Sequence, residues 1–236
     1  MAHFVTIGFH ILELLLDLTS PTGPTLTKKT NSAQTEKPRR RRRRPEAAES
    51  EILNAAENFL KEFPFRDLTI DDVMSRTGLS RPSFYEYFRD RNHLVIKLTE
   101  RLGARNLALS EPWFLGSEPI EDLRRTMHEA AEFYVTQGHL LRALSDAAAS
   151  DRQVEATYRK TTETLIDGVA QRIRADEARG QIALNGIDPQ DIASALILMN
   201  EGYLIEKLGR QPQADPKSVA DTLLAIWLRV LYGVSR

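Results

Sequence analysis

Apolar residues recur along this chain every three to four positions, the spacing of one face of an α-helix, and no stretch alternates as a half-buried strand does. Ile52, Leu53, Ala56, Phe59, Leu60 and Phe63 mark such a face over Glu46 to Phe63, directly after Pro45. Ile70, Val73 and Met74 mark a short second face, and Phe84 with Phe88 a third. A longer helix is predicted from Asn92 to Ser110, broken by Pro112, Gly116 and Pro119. Further helices are predicted at Ile120 to Gln137, Leu140 to Ala149 and Asp151 to Arg179, with Gly138 and Ser150 as punctuation and Gly180 to Pro189 as a loop. The pattern predicts an all-α fold.

The last two predicted helices differ from the others. Ile192, Leu196, Met199 and Tyr203 line one face of the first, and Ala193, Ile197, Leu204 and Leu208 the next. The final one carries Val219, Leu223, Leu224, Ile226, Trp227, Leu228, Val230 and Leu231. Helices apolar almost all round need burial on more than one side, which a symmetric dimer supplies by packing two such pairs as a four-helix bundle.

The segment from Thr69 to Arg91 carries the most specific chemistry. Thr69 suits an N-cap, with Asp72 three residues on to reach back. Gly78 is expected to end the helix in a positive-φ turn, and Leu79 to anchor that turn in the core. Ser80 is the next N-cap, and Pro82 is tolerated in the first turn. Helix, glycine turn and helix make the helix-turn-helix pattern, whose second helix lies in the DNA major groove. Phe84 and Phe88 are expected to pack inward, leaving Arg81, Ser83, Tyr85 and Tyr87 for guanine edges, phosphates or groove walls.

These residues resemble a known family. The run TGLSRPSFYEYFRDRNHL is similar to the signature of the TetR/AcrR family of one-component transcriptional regulators, matching it at Gly78, Leu79, Ser80, Ser83, Phe84, Tyr85, Tyr87 and Phe88. Arg91 stands where that family usually has lysine, keeping the charge with a different geometry. The resemblance implies a three-helix helix-turn-helix DNA-binding domain over 46–92 and a helical ligand-binding and dimerisation domain over 93–236. It also implies a homodimer joined through its last two helices.

Charge is distributed unevenly. The net −1 divides into +5 over 37–106, −5 over 107–236 and −1 over 1–36, a basic N-terminal part joined to an acidic remainder, which fits nucleic-acid binding confined to one end. Ahead of it lies KPRRRRRRP, 37–45, whose Arg39, Arg40, Arg41, Arg42, Arg43 and Arg44 are expected to form a basic arm reaching phosphates or the minor groove. A solvated basic linker is the plainer alternative. Residues 1–36 read as a disordered or dispensable extension, with a docking helix around Leu12, Leu15 and Leu16 as the sharper alternative. Their apolar run is too short and too charged for a membrane span, and it lacks the basic start of a signal peptide.

The C-terminal part resembles the EthR-like branch of the family, through ALILMNEGYLIEKLGRQP from Ala195 and DTLLAIWLRVLYG from Asp221. Members of that branch bind elongated apolar molecules in a tunnel. The resemblance implies that Asn200 is its polar anchor and Trp227 a lining residue, with Tyr158 a retained aromatic. Arg124, Ala131 and Leu165 stand where aromatics are expected. Met127, Thr162, Met199 and Tyr203, with Phe133 and Tyr134, complete the ligand candidates. On its own residues Asn200 reads equally as a structural amide, since a buried amide must find partners.

No catalytic motif appears. There is no phosphate-binding glycine loop, no nucleophile elbow and no cysteine. His128-Glu129-Ala130-Ala131-Glu132 resembles a zinc-protease helix but lacks its second histidine, and His139 is eleven residues away. No metal, cofactor or enzymatic activity is expected. The functional expectation is a cytoplasmic, ligand-responsive repressor that binds a palindromic double-stranded operator and is released by a small apolar ligand. The alternatives are a ligand-independent architectural DNA-binding protein and, behind it, an enzyme.

Overall fold

Four of the helices open with one device. Asp90, Asp151, Asp188 and Asp215 each sit at an N-cap and accept hydrogen bonds from backbone N–H groups two or three residues on, at 2.8–3.0 Å. A computed structural model describes residues 45–184 and 186–233. Among them, α1 (Pro45–Glu62), α2 (Ile70–Ser75), α3 (Arg81–Tyr87) and the start of α4 (Arg91–Leu115) form the N-terminal module. Helices α5 (Pro119–Ala148), α6 (Arg152–Ala178), α7 (Pro189–Leu208) and α8 (Pro216–Trp227) complete the chain, α8 running on into a π-helical turn, Leu228–Tyr232. No strand occurs among the described residues. Expectations for 1–44, including the arginine arm, lie outside them.

From Ala48 onward the described residues form one compact unit. Helix α4 packs on α5 and α6, while α5 also packs on α7 and α8. The centre of this packing is Trp113 of α4 edge-on to Trp227 of α8, ring centroids 5.5 Å apart. Both indoles are buried, as are Leu123, Leu140 and Leu144 of α5. The face predicted for α1 is buried from Ile52 to Leu60. Phe63 is not: it lies past the helix end, 44 % exposed, against Phe59 and under the Arg76 guanidinium.

Three predicted boundaries differ. Pro112 does not end the fourth helix, which continues to Leu115. The last carbonyls of a helix lack partners, and here the buried Arg172 guanidinium donates to those of Trp113 (2.6 Å), Phe114 (3.4 Å) and Gly116 (2.8 Å). Gly138 does not divide α5 in two; a Cβ there would stand 2.7 Å from the Gly209 Cα. This glycine lets two backbones touch. Gly78 is absent from the described glycines with positive φ, which are Gly180, Gly186 and Gly233. Its backbone N–H instead donates to the Glu51 carboxylate at 2.8 Å.

Candidate functional site

The helix-turn-helix is built from short-range bonds. Thr69 accepts from the Asp72 N–H at 3.1 Å and donates its own hydroxyl to the Asp72 carboxylate, fixing the start of α2. Ser80 occupies the N-cap of α3, but its hydroxyl pairs with that of Ser83 at 2.9 Å and accepts no backbone N–H. Phe84 and Phe88 are buried with centroids 5.3 Å apart, which holds α3 from beneath. Leu79 is half-buried in the turn. Arg81, Pro82 and Tyr85 are exposed, and Ser83 and Tyr87 half-exposed, so these five residues are all reached by solvent on one short helix.

Electrostatics refine that picture. Arg81 is paired with Asp71 of α2 across the turn, both side chains more than half exposed. In water such a pair is weak, so a phosphate or guanine edge competes readily for the guanidinium. Arg91 donates to the Leu68 carbonyl at 3.2 Å and stacks 4.8 Å over Phe65, so part of its bonding capacity braces the module. Several polar contacts tie module and helical body. Arg101 of α4 donates to the buried Glu57 carboxylate of α1 at 2.8 Å through Nε, and Asn92 donates to Asp151 at 2.6 Å.

Between α4, α5, α6, α7 and α8 lies a cavity of about 80 Å³. At one place on its wall the Trp227 indole donates to the Asn200 Oδ1 at 2.9 Å, and the Asn200 amide nitrogen faces the Met127 Sδ at 3.6 Å. A thioether is a weak acceptor, which leaves that NH₂ group with donor capacity to spare. At another, the Tyr158 hydroxyl donates to Glu201. Burial raises the pKa of Glu201, offset in part by that bond. Burial, followed by the nearby Glu201 charge, also raises those of Tyr134 and Tyr158.

The comparisons with known proteins agree with this geometry. The model described as bacterial regulatory proteins, tetR family, matches residues 52–98, and that of the transcriptional regulator EthR, C-terminal domain, matches 123–233. The HTH-type transcriptional regulator EthR of Mycobacterium tuberculosis H37Rv is 32% identical over 206 residues, covering 84% of this chain and 94% of that protein. The chain belongs to the TetR family of transcriptional regulators, in its EthR branch. The EthR of Mycolicibacterium smegmatis is 30% identical over 214 residues, 86% of this chain and 96% of its own. Among solved structures, the regulatory protein TetR from Rhodobacter sphaeroides has a TM-score of 0.64 at 22% identity, covering 78% of this chain and 98% of its own. SmeT, repressor of the Stenotrophomonas maltophilia multidrug efflux pump SmeDEF, has 0.64 at 20%, covering 79% and 91%. At such identities the two structures speak for the fold.

In this EthR-branch chain the cavity brings together Asn200, Trp227, Tyr158, Met127 and Thr162, with Tyr134. It does not include Met199, Tyr203 or Phe133. Met199 and Tyr203 share a face of α7 turned about a quarter of a circle from Asn200 and Leu204, and Tyr203 lies under the Lys207 ammonium at 5.8 Å. Glu201 was missed as a wall residue, as were Trp113, Thr126 and Asn106. The signal for Glu201 was there: a lone carboxylate amid an apolar run, beside the asparagine. His128 lies 3.3 Å from Asp221, and no group of three metal-ligating side chains occurs among the described residues. Among these residues, too, no helix is long and apolar enough to cross a membrane.

Proposed function

We propose that this regulator is a ligand-responsive repressor that binds a palindromic double-stranded operator as a homodimer and is released by a small, largely apolar ligand. The observation that carries this reading is the span of α4. Its first residue, Arg91, braces the helix-turn-helix, and Thr99 to Trp113 wall the cavity. A ligand acts on such a helix only through its different affinity for the two positions of the module. The cavity of about 80 Å³ is small against the several hundred of a typical ligand site. Ligand entry therefore spreads the helices, and α4 carries the displacement to the reading residues Thr69, Ser80, Arg81, Pro82, Ser83, Tyr85, Tyr87 and Arg91.

Dimerisation through α7 and α8 is supported by Leu198 and Val230, both about half exposed, and by Gly202, which has open space around it. Residues 46–92 then serve as the DNA-binding domain and 93–236 as the sensor and dimer domain. Arg39 to Arg44 add sequence-independent affinity. The protein works in the cytoplasm, without enzymatic activity. The test begins with selection of a DNA site from a random pool, followed by mobility shift of that site during titration with alkyl ligands. Release of a two-fold symmetric site by an apolar ligand is expected; a complex unmoved by every ligand that binds the protein would favour an architectural role.

A further inference from the structure

We infer that Glu201 and Tyr158 form a head-group subsite of the cavity, taking the protonated amine of a ligand whose body is apolar. This rests on the reading of the cavity as the effector site. Glu201 is the one carboxylate among the residues that wall it, and the wall holds no lysine, arginine or histidine. Within the cavity the carboxylate therefore faces no cation. The other titratable groups on the wall are Tyr134 from α5 and Tyr158 from α6; α4 contributes Asn106, which bonds to Tyr134. Tyr158 donates to one oxygen, Oε1, and Oε2 has no hydrogen-bond partner among the described residues.

A carboxylate is an acceptor with room for several donors. A wholly apolar ligand filling this space would strip water from Glu201 and give nothing back. An ester offers the ionised carboxylate no donor, and an ionised acid adds a second negative charge beside it. An ammonium supplies the missing charge and up to three donors, and a charge-assisted bond is stronger than a neutral one. Burial now disfavours the ionised form of Glu201, and a bound ammonium reverses that preference. The Asn200 amide nitrogen, whose acceptor is a thioether, lies one residue along the same helix and suits a carbonyl further down the ligand. The chemical class is thus an alkyl or aryl amine, alone or with a carbonyl in its chain.

The test is calorimetric titration of the full chain, and of its Glu201→Gln variant, with decylamine, decanol and decanoate near neutral pH. The wild-type protein is expected to bind decylamine about tenfold more tightly than decanol, and decanoate more weakly than either. Glu201→Gln should bring amine and alcohol within about threefold of each other while decanol affinity is kept. The wild-type ratio does not depend on the variant folding, which thermal unfolding checks separately. Equal binding of amine and alcohol by the wild type overturns the subsite while the cavity reading stands. A preference that survives in Glu201→Gln also overturns it, because the cation then sits elsewhere. Binding of none of the three removes the cavity reading and the subsite together.

Discussion

Trp227 of α8 donates its indole N–H to the Asn200 side-chain oxygen of α7, 2.9 Å away in the buried wall of the cavity. One amide therefore makes two contacts of unequal strength: the oxygen accepts from the indole and the nitrogen faces a weak sulfur acceptor. Removing one partner strands the other, at a cost of about 1–3 kcal/mol. Asn200→Leu and Trp227→Phe should each lower stability by about that much, with a coupling of about 1 kcal/mol in the double variant. Urea unfolding of the four proteins measures it. Additive effects would show that the bond contributes nothing to folding.

A second expectation concerns Gly138. Alanine usually gains about 1 kcal/mol over glycine within a helix. Here its Cβ would meet the Gly209 Cα at 2.7 Å and the Gly209 nitrogen at 3.0 Å. Both are backbone atoms that cannot step aside, and overpacking of this kind costs about 1–3 kcal/mol. The clash outweighs the propensity, so Gly138→Ala should unfold at lower urea than the unsubstituted protein; an unchanged urea midpoint would show that the two backbones can part.

What could be read from the sequence divides by the range of the interactions. The α1 face up to Leu60, the Thr69 cap and the inward Phe84–Phe88 pair depend on neighbours within four residues, and they stand as expected. Gly138 and Arg172 depend on partners far along the chain. The sequence offers a glycine and an arginine; only the packing reveals a close backbone approach and a cap on α4. Asn200 and Trp227 were placed at the cavity by family likeness. Glu201, beside them, stands out in the sequence as a carboxylate in an apolar run, but its pairing with Tyr158 on the cavity wall comes from the fold.

The Glu201 carboxyl also sets a pH dependence. Burial raises its pKa in the folded state. Below the ordinary carboxylate range the group is protonated folded and unfolded alike, and it contributes nothing. As pH rises through that range the unfolded chain releases the proton first, so folding loses stability until the folded-state pKa is passed. Glu201→Gln keeps an acceptor for Tyr158 and removes the titration. The variant should match the wild type at low pH and exceed it near neutrality. Urea midpoints across pH check this; a constant gap between the two curves would mean that Glu201 does not titrate with folding.

The arginine arm makes the last prediction, and it concerns DNA. Arg39 to Arg44 are six like charges in series just ahead of α1. Each phosphate that they neutralise adds about −0.9 to the slope of log affinity against log salt. If half of them engage, deletion should flatten the slope by about 2–3 and weaken binding most at low salt. Sequence preference should survive, because the proposed base reading falls to Arg81 and its neighbours on α3. Salt-dependent mobility shifts with the selected site and a scrambled duplex separate the two effects. Equal slopes for the full chain and the deletion would leave the tract as a solvated linker. A loss of preference with an unchanged slope would instead put the arginines in the minor groove as readers of base sequence.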